Sequence, residues 1–295
     1  MDESQRHGDD NLRGIGFMLL GVMSFSTMDA LAKWLVADFS VWQILVFRGV
    51  LAIAVMVPLA LWRHGPTILH TARPAALLLR GTAGVGAMFL FFLSLRQLHL
   101  ADAVALGFAG AIFLTALSVP LLAERVGLRR WSAVLVGFAG VLVIVQPGSG
   151  AFQPAALLTL GAALLYALMM IMTRALSRTE SSLTMVIYHS AVAAAVGIVA
   201  VPFVWVTPGW GALGLLVAVA AAGVSAQYFV TQAFRYAPVA LLAPFDYMAL
   251  IAAATIGFVV WNEVPGANVW GGAALLVTSG LYIVYREVKL RRAVG

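Results

Sequence analysis

Four ionisable side chains, Asp29, Arg48, His189 and Asp246, lie inside long apolar runs of this chain. A charged group surrounded by hydrocarbon is costly unless it is paired or faces a cavity, so each is a candidate for function. Asp246 stands in Ala243-Pro244-Phe245-Asp246-Tyr247. Pro244 has no N–H to give the carbonyl of Ala240, so a helix here bends and leaves that oxygen free. A carboxylate, a free carbonyl and two aromatic rings make a seat for an amine or organic cation. The bland alternative is an aspartate bonded to Gln227, Tyr228, Thr231 or Gln232. Asp29 and Arg48 flank a hairpin centred near residues 38–39, at equal distances from it. Helical rise puts both at one depth, roughly 10 Å in from the surface. The two are expected to form an ion pair or share a hydrogen-bond network, which holds helices together as readily as it meets a solute. Lys33, one turn after Asp29, is expected to snorkel outward. His189 beside Tyr188 is either an interhelical hydrogen-bonder or a proton-sensitive gate, and proton coupling would enter through it.

These groups do not form an enzyme. No HExxH, GxSxG or P-loop pattern occurs, and the deep polar residues contain no nucleophile with its base, so no catalytic residue is assigned. There is no cysteine, which removes thiol and disulfide chemistry. No metal set and no cofactor motif is present. A channel would call for continuous rings of pore-lining groups rather than isolated ones.

The surrounding residues explain how such groups are held. Of 295 residues 62% are hydrophobic and 10% charged, and the mean hydropathy is +0.98. A soluble domain carries about 25% charged residues, so the partner of this surface is a lipid bilayer. The net charge of +6 is spread over short connections, which argues against nucleic acid. Apolar stretches of about 20 residues, enough to cross a ~30 Å core, fall near 14–36, 41–62, 75–95, 101–121 and 129–147. A second set falls near 154–174, 182–204, 210–233, 239–260 and 267–285. Turn residues separate them, as at Gln146-Pro147-Gly148-Ser149-Gly150 and Val264-Pro265-Gly266.

The two sets are copies. Arg96, Glu124 and Trp131 recur as Arg235, Glu263 and Trp270 at a constant offset of 139, with Ile112/Ile251 and Leu142/Leu281 identical between them. Earlier spans align at an offset of 141, pairing Lys33 with Arg174, Phe47 with Tyr188 and Arg48 with His189. With the N-terminus in the cytoplasm, all but Lys33, Arg48 and Arg96 of the 18 basic residues fall inside, which fixes both termini there. Each repeat has an odd number of spans, so the second enters from the opposite face. The expected fold is therefore an all-α integral membrane protein of ten transmembrane helices in two inverted five-helix repeats, a plan suited to alternating access. Its parts are a cytoplasmic tail (1–13), repeat 1 (14–147), repeat 2 (154–286) and a basic cytoplasmic tail (287–295). Glu124 and Glu263, at matched span ends, read as structural capping or local pairing.

Each repeat closes with an acidic residue and a Gly-rich last span: Glu124 before Gly137-Phe138-Ala139-Gly140, and Glu263 before Gly271-Gly272. With the span count and the duplication, this resembles the drug/metabolite transporter superfamily with paired EamA domains, over about residues 12–286. Phe47-Arg48-Gly49 and Arg80-Gly81 are similar to its bacterial amino-acid exporters and S-adenosylmethionine carriers. The resemblance implies a secondary transporter in a bacterial-type inner membrane, working without cofactor on a small amine-bearing metabolite. Export of neutral or aromatic amino acids is the first expectation. Uptake or exchange of a nucleoside-like cation such as S-adenosylmethionine, or a channel-like facilitator, is the alternative. It also implies that spans carrying Phe89, Phe92, Phe108, Tyr166, Tyr228 and Tyr247 surround the cavity. With Asp246, the aromatic residues Tyr247, Tyr228, Phe89, Phe108 and Tyr166 are the candidates for substrate contact. Asp29, Arg48 and His189 are the gating or structural polar groups. Oligomeric state has no signature in the sequence.

Overall fold

A computed structural model of the chain describes residues 3–122, 128–148, 152–177, 179–237 and 239–294. The described residues form α-helices with two short 3₁₀ turns and no strand. The first half comprises α1 (Glu3–Leu35), α2 (Val41–His64), α3 (Pro74–Ser94), α4 (Leu100–Gly107), α5 (Ala109–Leu122) and α6 (Leu128–Val145). The second comprises α7 (Ala155–Leu176), α8 (Ser182–Ala200), α9 (Trp210–Tyr236), α10 (Val239–Asp246), α11 (Met248–Trp261) and α12 (Ala267–Val294). Eight segments are long and apolar enough to cross a membrane, α4 and α5 together making one of them, Leu100–Leu121. Two shorter apolar stretches, Trp131–Val145 and Ala267–Ile283, lie where the sequence predicts the last span of each half. Large apolar side chains such as Leu135, Val199, Phe203 and Val259 point outward, a surface that only lipid satisfies.

The duplication extends to single hydrogen bonds. Helices α1 and α7 end at the equivalent Leu35 and Leu176, and α2 and α8 begin at Val41 and Ser182. Ser40 and Ser181 each accept a hydrogen bond from the helix they open, from the N–H groups of Trp42 (3.3 Å) and Thr184 (3.0 Å). Serine suits this N-cap position because its oxygen satisfies a backbone donor that has no partner inside the helix.

Packing follows the same exchange. Helix α1 lies on α9 as α7 lies on α3, while α2 packs on α8 and α6 on α12. The α6–α12 crossing runs backbone to backbone. A Cβ at Gly140 would come within 2.7 Å of the Gly272 carbonyl oxygen, and one at Gly272 within 2.5 Å of that of Gly140. Exchanging the halves turns this contact into Ser279 on Ala133, where the Ser279 hydroxyl donates to the Ala133 carbonyl at 2.6 Å. Small residues give up side-chain volume so that two helices can meet this closely.

Both fourth spans break at equivalent residues. Phe108 separates α4 from α5, and Tyr247 separates α10 from α11. Each break is a tightened turn, with Ala111 N–H on the Phe108 carbonyl (3.2 Å) and Leu250 N–H on the Tyr247 carbonyl (3.1 Å). The sequence points to Pro244 as the bend, but Pro244 lies within α10, and the first half breaks with no proline nearby. The break belongs to the scaffold.

Candidate functional site

A cavity of about 550 Å³ lies between α1, α2, α3, α7, α8 and α9. Its lining is built from equivalent pairs: Phe25/Tyr166, Met28/Met169, Asp29/Met170, Arg48/His189, Ala52/Ala193 and Gly84/Gly223. The cavity therefore sits on the axis that relates the halves. Two glycines seat its basic groups in matching ways. A Cβ at Gly223 would meet the Arg48 Nε at 3.0 Å and the Met28 sulfur at 3.1 Å. At Gly84 it would meet the His189 ring at 2.9 Å and the Met169 sulfur at 2.6 Å. The two nests are the same structure, one holding a guanidinium and the other an imidazole.

Asp29 and Arg48 both line the cavity and influence each other electrostatically. No salt bridge within the 4.0 Å limit joins them among the described residues, so the direct form of the expected pairing is absent. Arg48 instead touches the Met88 sulfur. The cavity thus offers an acidic and a basic side chain that are not joined to each other by a salt bridge. His189 also lines it, its Nδ1 buried with no hydrogen-bond partner.

The aromatic candidates separate. Tyr166 lines the cavity and is 50% exposed. Phe89 stacks on Trp42, with ring centroids 4.1 Å apart, and is not part of the lining. Phe108 meets Tyr247 edge-on at 4.9 Å, so the two helix breaks touch each other. The Tyr247 hydroxyl end is wedged against Gly280. Tyr228 is exposed and packs against Phe229 at 5.7 Å. Asp246 is exposed at the end of α10, near enough to Tyr166 and Tyr247 to act on both electrostatically. Among the described residues it makes none of the four bonds that a purely structural role would supply.

The sequence reading gives no cavity role to Arg80, Gln227 or Thr173, which also line it. Arg80 is 9% exposed and donates to the Thr173 hydroxyl (2.8 Å) and the Met185 carbonyl (3.1 Å). Its depth in α3, two turns past Pro74, was the available signal. The methionine wall of Met28, Met56, Met88, Met169 and Met170 has none, because those residues come from four different helices.

The cavity is closed towards the α1–α2 turn. Ser94 and Thr159, both fully buried, are joined at 2.9 Å. Lys33 does not snorkel: its side chain is 9% exposed and is paired with Glu263, while also donating to the Leu98 carbonyl at 2.8 Å. Asn262 makes this possible. It takes a left-handed conformation (φ 56°), which asparagine tolerates, and ends α11 with the Glu263 N–H on the Gly257 carbonyl at 3.1 Å. The Glu263 carboxylate then accepts the first N–H of α4, from Leu100, at 3.0 Å. Glu263 is thus a long-range tie between α1, α4 and α11. Its equivalent, Glu124, lies outside the described residues. At the opposite end Phe234, in the last turn of α9, lines the cavity and is 48% exposed.

Comparison with known proteins places these features. The sequence profile of the EamA-like transporter family matches residues 12–146 and 153–286. The S-adenosylmethionine uptake transporter of Rickettsia felis is 28% identical over 278 residues, covering 94% of each chain. A riboflavin transporter of Vibrio cholerae is 29% identical over 287 residues, 95% of this chain and 96% of its own. The pseudopaline exporter of Pseudomonas aeruginosa is 30% identical over 274 residues, 90% of this chain and 94% of its own. One crystal structure superposes with a TM-score of 0.65 at 18% identity, covering 94% of this chain and 98% of that one, a likeness of fold alone.

Proposed function

The chain belongs to the EamA-like transporter family, and from that premise we propose that it carries a small zwitterionic metabolite across the inner membrane by alternating access. It is a multi-pass membrane transporter and not an enzyme. In the proposed arrangement its ten helices form two inverted repeats, 14–147 and 154–286, with both short tails in the cytoplasm. The observation that carries the substrate class is the separated pair Asp29 and Arg48 in one cavity. A carboxylate and an ammonium on a single carbon atom fit between an arginine and an aspartate, completing charge-assisted bonds that the two side chains do not make to each other. Five methionines and four phenylalanines stand among the other lining residues, and they take an apolar or aromatic body through polarizable contacts. Aromatic amino acids meet this description. So does S-adenosylmethionine, whose amino-acid head is joined to an adenosyl group, and its claim is strengthened by the Rickettsia relative.

Purified protein in liposomes, loaded with unlabelled solute for counterflow, tests the reading with three labelled probes. Phenylalanine and S-adenosylmethionine each carry the zwitterionic head, while riboflavin lacks it. Counterflow of either head-bearing solute is the expected result. Counterflow of riboflavin alone would show that shape and stacking, not the charged pair, select the substrate.

A further inference from the structure

The equivalent arginines Arg96 and Arg235 are in different states. Arg96 donates from Nε to the Val36 carbonyl (2.9 Å) and from Nη2 to the Phe39 carbonyl (3.0 Å), strapping the end of α3 to the α1–α2 turn. Arg235 is exposed and, among the described residues, makes no hydrogen bond or ion pair. The buried Ser94–Thr159 contact lies at the end where Arg96 is engaged, and the half-exposed Phe234 at the end where Arg235 is not.

The receptor for Arg235 already exists. At the offset of 141, Val36 and Phe39 correspond to Ser177 and Glu180 in the α7–α8 turn. That turn has the same backbone bonds as its counterpart. Ser177 N–H reaches the Thr173 carbonyl at 2.8 Å, as Val36 reaches Ala32 at 2.9 Å. Glu180 N–H reaches the Leu176 carbonyl at 2.9 Å, as Phe39 reaches Leu35 at 2.8 Å. The carbonyls that receive Arg96 therefore have counterparts of matching geometry. What differs is the helix bearing the arginine. Helix α3 ends at Ser94 and Arg96 sits in a tight turn, its N–H on the Leu93 carbonyl at 3.3 Å. Helix α9 stays wound through Tyr236, which holds Arg235 away from its turn.

We propose that Arg96 and Arg235 are alternating latches, each strapping the turn at its own end shut when the other is released. This rests on the alternating-access reading above. In the opposite state the last turn of α9 unwinds as that of α3 does here, Arg235 donates to the carbonyls of Ser177 and Glu180, and Arg96 lets go of Val36 and Phe39. The two states then have equal numbers of these bonds, so substrate exchange need not work against the latch.

The chain has no cysteine, so paired spin labels can be introduced without background. Ala37→Cys with Val264→Cys reports the α1–α2 end, and Thr179→Cys with Thr231→Cys reports the other. Losing two bonds from a charged donor shifts a two-state population by about tenfold or more. Arg96→Gln should enlarge the long-distance component at the first pair and the short-distance component at the second. Arg235→Gln should deplete both. Arg96→Lys, which keeps a single donor group, should fall between wild type and Arg96→Gln. Shifts in the same direction for both glutamine variants, or no shift in Arg235→Gln, would overturn the latches. If Arg96→Gln does not fold, the Arg235→Gln comparison decides alone. Opposite shifts in a protein that transports neither head-bearing probe would remove the substrate reading and leave the latches standing. Transport of the probes without opposite shifts would do the reverse.

Discussion

Removing one charge at a time from the cavity tests which end of a zwitterion each side chain receives. A hydrogen bond to a charged group contributes about 1.5–3 kcal/mol, which corresponds to roughly 10- to 150-fold in affinity. Arg48→Gln should weaken phenylalanine by that factor, and also its deaminated analogue 3-phenylpropionate, while leaving the decarboxylated phenethylamine nearly unchanged. Asp29→Asn should weaken phenylalanine and phenethylamine and spare phenylpropionate. Structure limits the confounding term. The two side chains make no contact within 4.0 Å, so their mutual attraction at an effective dielectric constant of 20 is below about 4 kcal/mol. Both face the cavity, so a charge left single borders open volume rather than close-packed side chains. The single variants should therefore fold, and the double variant Asp29→Asn/Arg48→Gln should give a folded yield at least as high as the worse single one. Calorimetric titration of the purified protein with the three ligands is the assay. Equal losses for all three in both variants would refute the assignment, because a general disturbance of the cavity has no charge preference.

Three other perturbations have defined outcomes. Lys33→Met or Glu263→Gln leaves a largely buried partner without its counter-charge, at a cost of about 3–5 kcal/mol, read as a lowered unfolding temperature in detergent; the double change should recover most of it. Gly140→Leu drives a side chain into the Gly272 backbone, contact already at 2.7 Å for a Cβ, and should lose about 1–3 kcal/mol or more in a denaturant titration, whereas Gly271→Leu, which meets nothing within 4 Å, should not. Asp246→Asn should stay folded and inserted while transport of amine-bearing solutes falls more than that of deaminated ones, since its carboxylate has no structural partner to lose. Undiminished amine transport in that variant would leave Asp246 outside the substrate path.

The scaffold was legible because it is duplicated. The offset of 139 between Arg96 and Arg235 and that of 141 between Arg48 and His189 carry into matching caps and helix pairs, since similar local sequence solves the same backbone problem twice. The breaks at Phe108 and Tyr247 were not legible. Neither residue is a helix breaker, and the more conspicuous Pro244 drew attention three residues away, because proline signals a missing donor but not where the helix tightens. The Lys33–Glu263 tie joins residues 230 positions apart. Sequence separation hides it, and the left-handed Asn262 that aims the carboxylate is a feature only of the folded chain. Asp29 and Arg48 were found by depth alone. Whether they touch or stand apart depends on the side chains around them, Met88 and Gly223 above all, and spacing along a helix cannot report that.

Symmetry and its violations divide the work of this molecule. Residues that agree between the halves build the frame: the N-cap serines, the paired glycines under Arg48 and His189, and the two arginines at opposite ends. In the proposed reading, residues that disagree carry the chemistry. Asp29 corresponds to Met170, Arg48 to His189, and Asp246 to Gly107. A fully symmetric cavity would carry duplicate charges and repel any single-headed solute from one side or the other. With the acid and the base in the first half and methionine and histidine in the second, the proposed site is a single oriented one within a duplicated frame. Restoring the symmetry should therefore separate the two properties. His189→Arg would set a second guanidinium against Met169 and opposite Arg48, and its charge would oppose the ammonium of the substrate without touching either latch. Binding of phenylalanine should fall while the spin-label distances keep their wild-type balance. A change in that balance with binding intact would mean that the differences between the halves set the conformational equilibrium instead of the substrate.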